Sequence, residues 1–276
     1  MAEEEKNEDW SAADYLLRLE QLQAINFAAN ATKLADVLVA YDGLYKFTIN
    51  LKKVFWKSLT NREPLAINVL VMLYQFMRQD LIKAGLAWCS GYENDSTFHT
   101  RRIIETSAVF IELVLQPTKL PVYADLTTQE ARLQYVKDFM IFKLVKANLS
   151  KKSVDNYELL CLLVHPSFVA SGRTDIEDNK HVMRFFDTRT DAQLPALRST
   201  ILAHLAMIYN AFKDLKKAFE SDPDFDQNAW DEVCNQFLKE YDAQVIKMID
   251  SGSIPPLKGN EPKALEVETT GGDDVS

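Results

Sequence analysis

Polar residues interrupt two apolar helical patterns in the middle of the chain, and their types could bind an anion or transfer a proton. The first pattern, FHTRRIIETSAVFIELVL, contains Arg102 and Glu105, three residues apart. The second contains Tyr157, Cys161 and His165, which share one helical face because they are four residues apart. An arginine oriented by a glutamate can bind a phosphate or carboxylate group. A histidine in the last turn of a helix can act as an acid, a base or an anion contact.

Each of these groups also has a purely structural interpretation. Arg102 and Glu105 could form an ion pair that fixes helix packing, since a buried charge is stable only when it is paired. His99 in the same segment could join that network. His165 could simply close its helix. The sequence predicts a buried polar binding site formed by Arg102, Glu105, Tyr157 and His165. Whether that site holds a ligand stays open.

Helical periodicity covers most of the chain, and no segment alternates apolar and polar residues as a half-buried strand would. The predicted helices span residues 11–29, 31–41, 44–58, 62–90, 96–115, 128–148, 153–165, 175–187, 191–219 and 227–250. The predicted fold class is therefore all-α, a single bundle-like domain of about ten helices.

The net charge of −9 is concentrated at the two ends of the chain. We therefore expect an acidic, flexible N-terminus over residues 1–10, the helical domain over residues 11–250 and a disordered acidic tail over residues 251–276. The body between the two ends is close to neutral, which excludes a general phosphate binder.

Composition and motifs narrow the compartment and the chemistry. Three well-separated cysteines without a CxxC pair indicate a reducing compartment, and the acidic N-terminus is unlike a secretory leader. The longest apolar run, residues 65–77, is too short to cross a bilayer. We therefore expect a cytoplasmic protein without a membrane partner. Because no glycine-rich phosphate loop, GxSxG elbow or HExxH motif occurs, we expect neither a cofactor nor a metal site.

A further pair of residues, in LRSTILAHLAMIY, is similar to the signature of the HEPN helical superfamily. Five residues separate Arg198 from His204. Ribonucleases of that superfamily use an Arg and a His near a dimer cleft to cleave RNA, and the resemblance implies this role for Arg198 and His204. Ser199 departs from the more strongly polar residue that these ribonucleases often carry after the arginine. On a straight helix the six-residue offset also separates the two side chains by about 120°.

The middle of the chain, roughly residues 60–220, resembles a family of uncharacterised bacterial all-helical proteins. The resemblance rests on the RRIIE helix and on the helix from Tyr157 to His165, which ends at Pro166. Cys161 stands where that family often has serine. The resemblance implies a helical fold related to HEPN domains and to abortive-infection proteins, without an established activity.

Two classes of function remain open from the sequence. In the first, the protein is a defence or stress-response component that binds a nucleotide or RNA, and it cleaves RNA if Arg198 and His204 act as the resemblance implies. In the second, it is a non-enzymatic helical interaction protein, a homodimer or the partner of another helical protein, and its polar residues only fix the packing.

Overall fold

A computed structural model describes residues 12–164, 175–177, 180–182 and 194–256 of the chain. Four long helices come first: α1 (Ala12–Lys33), α2 (Ala35–Thr60), α3 (Pro64–Ser90) and α4 (Glu93–Leu115). Shorter helices follow a 3-10 turn at Pro117–Lys119: α5 (Leu120–Ala124), α6 (Gln129–Asp138), α7 (Ile141–Asn148) and α8 (Lys151–Val164). The last two are α9 (Leu194–Asp214), which continues into a 3-10 turn at Leu215–Ala218, and α10 (Gln227–Asp250). The prediction of a single packed all-α domain is confirmed.

Helix α4 lies at the centre of the packing and positions the candidate site. Gly91 ends α3 with a φ of 84°, a left-handed conformation that favours glycine, and its amide donates to the carbonyl of Trp88. The chain therefore reverses between Ser90 and Glu93, and α4 packs along α3. On its other sides α4 contacts α7, α8 and α9.

A cluster of aromatic rings joins five segments of the chain. Phe55 of α2 is fully buried, and its ring is stacked on Phe219 at a centroid distance of 5.2 Å. It also contacts Tyr74 of α3 at 5.1 Å, Phe110 of α4 at 6.2 Å and Trp230 of α10 at 6.2 Å. Since each of these helices contributes one ring, the cluster fixes their relative positions.

The helix predicted over residues 175–187 is wrong in the described part of that segment. Two strands, β1 (Asp175–Glu177) and β2 (Lys180–Val182), pair antiparallel there, with Asp175 opposite Val182 and Glu177 opposite Lys180. Strands of three residues contain too few positions for a period of two to be distinguished from a helical period. The apolar pattern therefore could not predict this small sheet.

Two predictions of helix boundaries are wrong, one in α2 and one between α6 and α7. Residues 31–41 and 44–58 were expected to form separate helices, but both belong to α2. Glycine inside a helix costs only about 1 kcal/mol, and the buried face on both sides of Gly43, which includes Ala40, Leu44 and Phe47, outweighs that cost. Conversely, the predicted helix 128–148 is divided at Phe139, which is buried against Tyr123 at 5.3 Å.

Described structure continues a few residues beyond α10. Ile254 is buried, and the amide of Ser253 donates to the carbonyl of Met248 at 2.9 Å. Residues 257–276, the remainder of the predicted tail, lie outside the described residues. None of the helices that the structure describes is long and apolar enough to span a membrane.

Candidate functional site

In its N-terminal half, helix α4 turns a different face to the core from the one predicted, while residues 107–114 are buried on all sides. Its buried residues include three with hydroxyl groups, Thr97, Thr100 and Ser107, beside Ile104 and Ala108. The three hydroxyls donate to backbone carbonyls three or four residues earlier, at distances of 2.8 to 2.9 Å. A side chain that satisfies its hydroxyl on its own helix can be buried without a tertiary partner. These polar-looking residues therefore belong to the core.

Arg102 and Phe98, four residues apart on α4, are consequently turned outward. The side chain of Arg102 is 41% exposed, and Phe98 is 39% exposed. The prediction that Arg102 is buried is thus wrong, because the core face of α4 is the neighbouring one. The guanidinium lies over the Phe98 ring, 5.7 Å from its centroid. Its Nε lies 3.5 Å from Oδ2 of Asp80, so its carboxylate partner comes from α3 and is not Glu105.

Asp80 contacts both Arg102 and His99, so His99 belongs to the network of Arg102, which the sequence allowed but did not specify. Asp80 is 2% exposed, and its Oδ1 lies 2.8 Å from Nδ1 of His99. A carboxylate oxygen accepts hydrogen bonds, so Nδ1 of His99 is the donor in this contact. His99 also lines a surface groove of about 390 Å³ together with Lys83, Tyr92 and Asp95.

Sequence reasoning missed Asp80, although its position carries a signal. Met77, Asp80 and Ala84 follow one another at helical intervals of three and four residues, and all three are buried. An acid in step with the apolar face of a helix must be paired, and α4 supplies the two partners. The same rule that drew attention to Arg102 would have identified Asp80.

Glu105 belongs to a second network, between α4 and α8. Nε of Arg101 lies 2.9 Å from Oε1 of Glu105, four residues along the same helix. The hydroxyl of Tyr157 donates to the same oxygen at 3.2 Å. The structure thus brings Glu105 and Tyr157 together, but the arginine in contact with them is Arg101.

Tyr157 is held as a neutral hydrogen-bond donor. Burial raises the pKa of its hydroxyl well above the usual range, and a hydrogen bond with Cys161 and the charge of Glu105 raise it further. His165 directly follows Val164, the last described residue of α8, and itself lies outside the described residues. Its place in the site therefore stays a prediction.

Arg198 and His204 are both surrounded by protein atoms. Nη2 of Arg198 donates to the carbonyl of Lys33 at 2.7 Å, and Nε lies 3.1 Å from Oδ2 of Asp36. His204 is 3% exposed, and its ring centroid lies 5.9 Å from that of Trp88. These contacts are typical of residues that join helices.

The three cysteines are free thiols with different environments, which permits a labelling prediction. Burial raises the pKa of Cys234 to about 11 and also raises the pKa of Cys89, whereas Cys161 on α8 is half-buried. We expect iodoacetamide at about pH 8 to modify Cys161 of the native protein at least 10-fold faster than Cys234. Peptide mass spectrometry measures the three rates, and unfolded protein is the control. Equal rates for Cys161 and Cys234 in the native protein would contradict the structure.

The part of the chain that the structure describes contains no group of three His, Cys, Asp or Glu side chains placed to hold a metal ion. Comparison of the chain with models of protein families, with curated proteins and with solved structures finds no match.

Proposed function

We propose that the protein binds a nucleotide or single-stranded RNA at the outward face of α4. The observation that carries the proposal is the exposed aromatic ring of Phe98 beside the half-exposed guanidinium of Arg102, 5.7 Å apart on one helical turn. Bases stack on aromatic rings and on guanidinium planes, with about 1–3 kcal/mol per stacked base. An arginine also offers a planar fork of donors to a phosphate group.

Asp80 gives this face its orientation. Its buried carboxylate contacts Nε of Arg102 and Nδ1 of His99, so one residue of α3 fixes two side chains of α4. The Nη groups of the partly exposed Arg102 then remain for phosphate oxygens, and Nε2 of His99 remains for a hydrogen bond with a ribose hydroxyl. A buried anchor of this kind preorganises a site because the ligand does not have to order the side chains.

The local charge points to one bound phosphate group and not to general binding of polyanions. Arg102 is paired with Asp80, and Arg101 with Glu105. Each arginine is therefore paired with one carboxylate, so the net charge of these four side chains is close to zero. Because few counterions would be released on binding, we expect a weak dependence of affinity on salt.

Replacement of Arg102 tests this proposal. We expect Arg102→Ala and Phe98→Ala each to weaken binding of a fluorescent adenine nucleotide or a short labelled RNA by about 10-fold, measured by fluorescence anisotropy. Arg132→Ala is the matched control, since Arg132 is an exposed arginine on α6 that contacts only the carbonyl of Leu126 in its described hydrogen bonds. The absence of binding by the unmodified protein, or equal affinities for all variants, would refute the proposal.

Cleavage of RNA by Arg198 and His204 is a separate proposal, because both residues belong to α9 and not to the outward face of α4. It is supported by the sequence resemblance to HEPN ribonucleases, and a defence role is supported by the resemblance to abortive-infection proteins. The second candidate function, a non-enzymatic helical interaction protein, is favoured by the internal partners of Arg198, Arg101 and Glu105. Unchanged RNA after incubation with the protein would favour this second function over cleavage.

A further inference from the structure

The outer face of α3 is mostly apolar, with large apolar residues at five of its eight exposed positions between 65 and 86. Five large apolar side chains on it are 39% to 50% exposed: Leu65, Met72, Phe76, Ile82 and Leu86. The face extends over about 32 Å, the length of 22 helical residues. Among the exposed residues between positions 65 and 86, Lys83 is the only charged one. A surface helix normally turns charged residues outward, so a continuous apolar stripe marks an interface.

The spacing of this stripe fits a second copy of the same helix. Leu65, Met72, Gln79 and Leu86 follow one another at seven-residue intervals, the repeat that keeps two packed helices in contact. These four positions are also symmetric about the midpoint between residues 75 and 76. A two-fold axis at that midpoint therefore places each apolar end of the stripe against the opposite end of the other copy.

We propose that the outer face of α3 pairs antiparallel with the same face of a second copy, forming a homodimer. In this register Leu65 lies opposite the partner's Leu86, and Met72 lies opposite the partner's Gln79. Phe76 lies beside the axis and meets its own counterpart. The pairing goes beyond the proposed binding of a nucleotide because it uses neither Phe98 nor Arg102, although Lys83 and Leu86 at one end of the stripe also line the groove beside His99.

The charge of the stripe favours this partner. Lys83 would lie opposite the partner's Asn68, an uncharged amide, and the two Lys83 side chains would be about 22 Å apart along the helices. No like charges are therefore opposed. A strongly charged partner or an anionic membrane surface would find only this one lysine to pair with.

The size of the face sets the expected strength of the dimer. One pair of helices buries less surface than the roughly 1,200–2,000 Å² of a standard stable interface. We therefore expect a reversible dimer with a dissociation constant in the range of about 1–100 µM. Sedimentation velocity of the full chain at concentrations up to about 200 µM measures it.

Charge substitutions test the surface. Phe76→Glu places two carboxylates beside the axis, and we expect it to weaken the dimer at least 10-fold. Val39→Glu is the matched control, because Val39 of α2 is 58% exposed and lies off this face, and it should leave the dimer unchanged. A monomeric native chain at the highest concentration, or equal weakening by both variants, would overturn the proposal.

A paired substitution tests the register and guards against misfolding. We expect Leu65→Glu alone to weaken the dimer, and Leu65→Glu combined with Leu86→Lys to restore it, since the new charges meet only in the antiparallel pairing. Circular dichroism melting checks that each variant is folded. A double variant that dimerises no better than Leu65→Glu would overturn the antiparallel arrangement. Nucleotide binding by Phe76→Glu should be unchanged, which separates a failure here from a failure of the α4 site.

Discussion

Replacement of Phe55 by alanine should lower the free energy of unfolding by about 3–5 kcal/mol, the range for a fully buried phenylalanine. The ring is fully buried and is stacked on Phe219 with an interplanar angle of 8°. Its other contacts, to Tyr74, Phe110 and Trp230, come from three further helices. Because rings from several helices surround the site, their collapse into the cavity would require these helices to shift together. Urea unfolding followed by circular dichroism measures the loss.

The adjacent residue provides the control for this experiment. Trp56 is larger than Phe55 but is 39% exposed, and Lys52 lies over its ring at 4.6 Å. We expect Trp56→Ala to cost less than Phe55→Ala, about 1–2 kcal/mol, since the ring lies partly at the surface and its removal leaves no enclosed cavity. Similar losses for the two variants would show that the face of α2 directed at the core has been assigned wrongly.

The helices that could be predicted have apolar residues at regular helical spacing and a residue that marks the start of the helix. Helix α10 occupies the predicted residues 227–250, and its start is capped by Asp226, which accepts from the amide of Ala229 at 2.9 Å. Helix α3 begins at Pro64, within two residues of the predicted start, where proline is favoured because its missing amide proton is not needed. Long helices with such signals are defined by local sequence, which explains the agreement.

The candidate site could be predicted only in part, because its pairing depends on tertiary placement. Sequence spacing alone allows Glu105 to pair with Arg101 or with Arg102, and the contact of α4 with α8 selects Arg101. The partner of Arg102 comes from α3, and no local spacing specifies it. The buried face of α4 also contains Thr97 and Thr100. Because threonine is polar, the sequence pattern did not identify this face as part of the core. The sequence therefore identified Arg102 and Glu105 as polar residues of interest, but it did not predict the residues with which they pair.

Replacement of Arg198 by alanine should lower the free energy of unfolding by about 2–3 kcal/mol, because hydrogen bonds of charged groups contribute about 1.5–3 kcal/mol each. The guanidinium contacts the Asp36 carboxylate at 3.1 Å, the carbonyl of Lys33 at 2.7 Å and the carbonyl of Ser253 at 3.4 Å. It therefore joins α9 to the start of α2 and to the turn after α10. The side chains of Arg198 and Asp36 are 16% and 25% exposed, so water offsets part of the loss and keeps the value below that of a fully buried pair.

The same variant distinguishes a structural arginine from a catalytic one. A structural role predicts that Arg198→Ala loses stability and that Asp36→Ala loses a similar amount. The double variant should then cost less than the sum of the two, as a double-mutant cycle in urea unfolding would measure. A ribonuclease role predicts the opposite pattern, in which RNA cleavage disappears in Arg198→Ala while stability and the Asp36→Ala variant are unaffected. Because Asp36 takes part only in the structural explanation, additive losses for the two variants would contradict it.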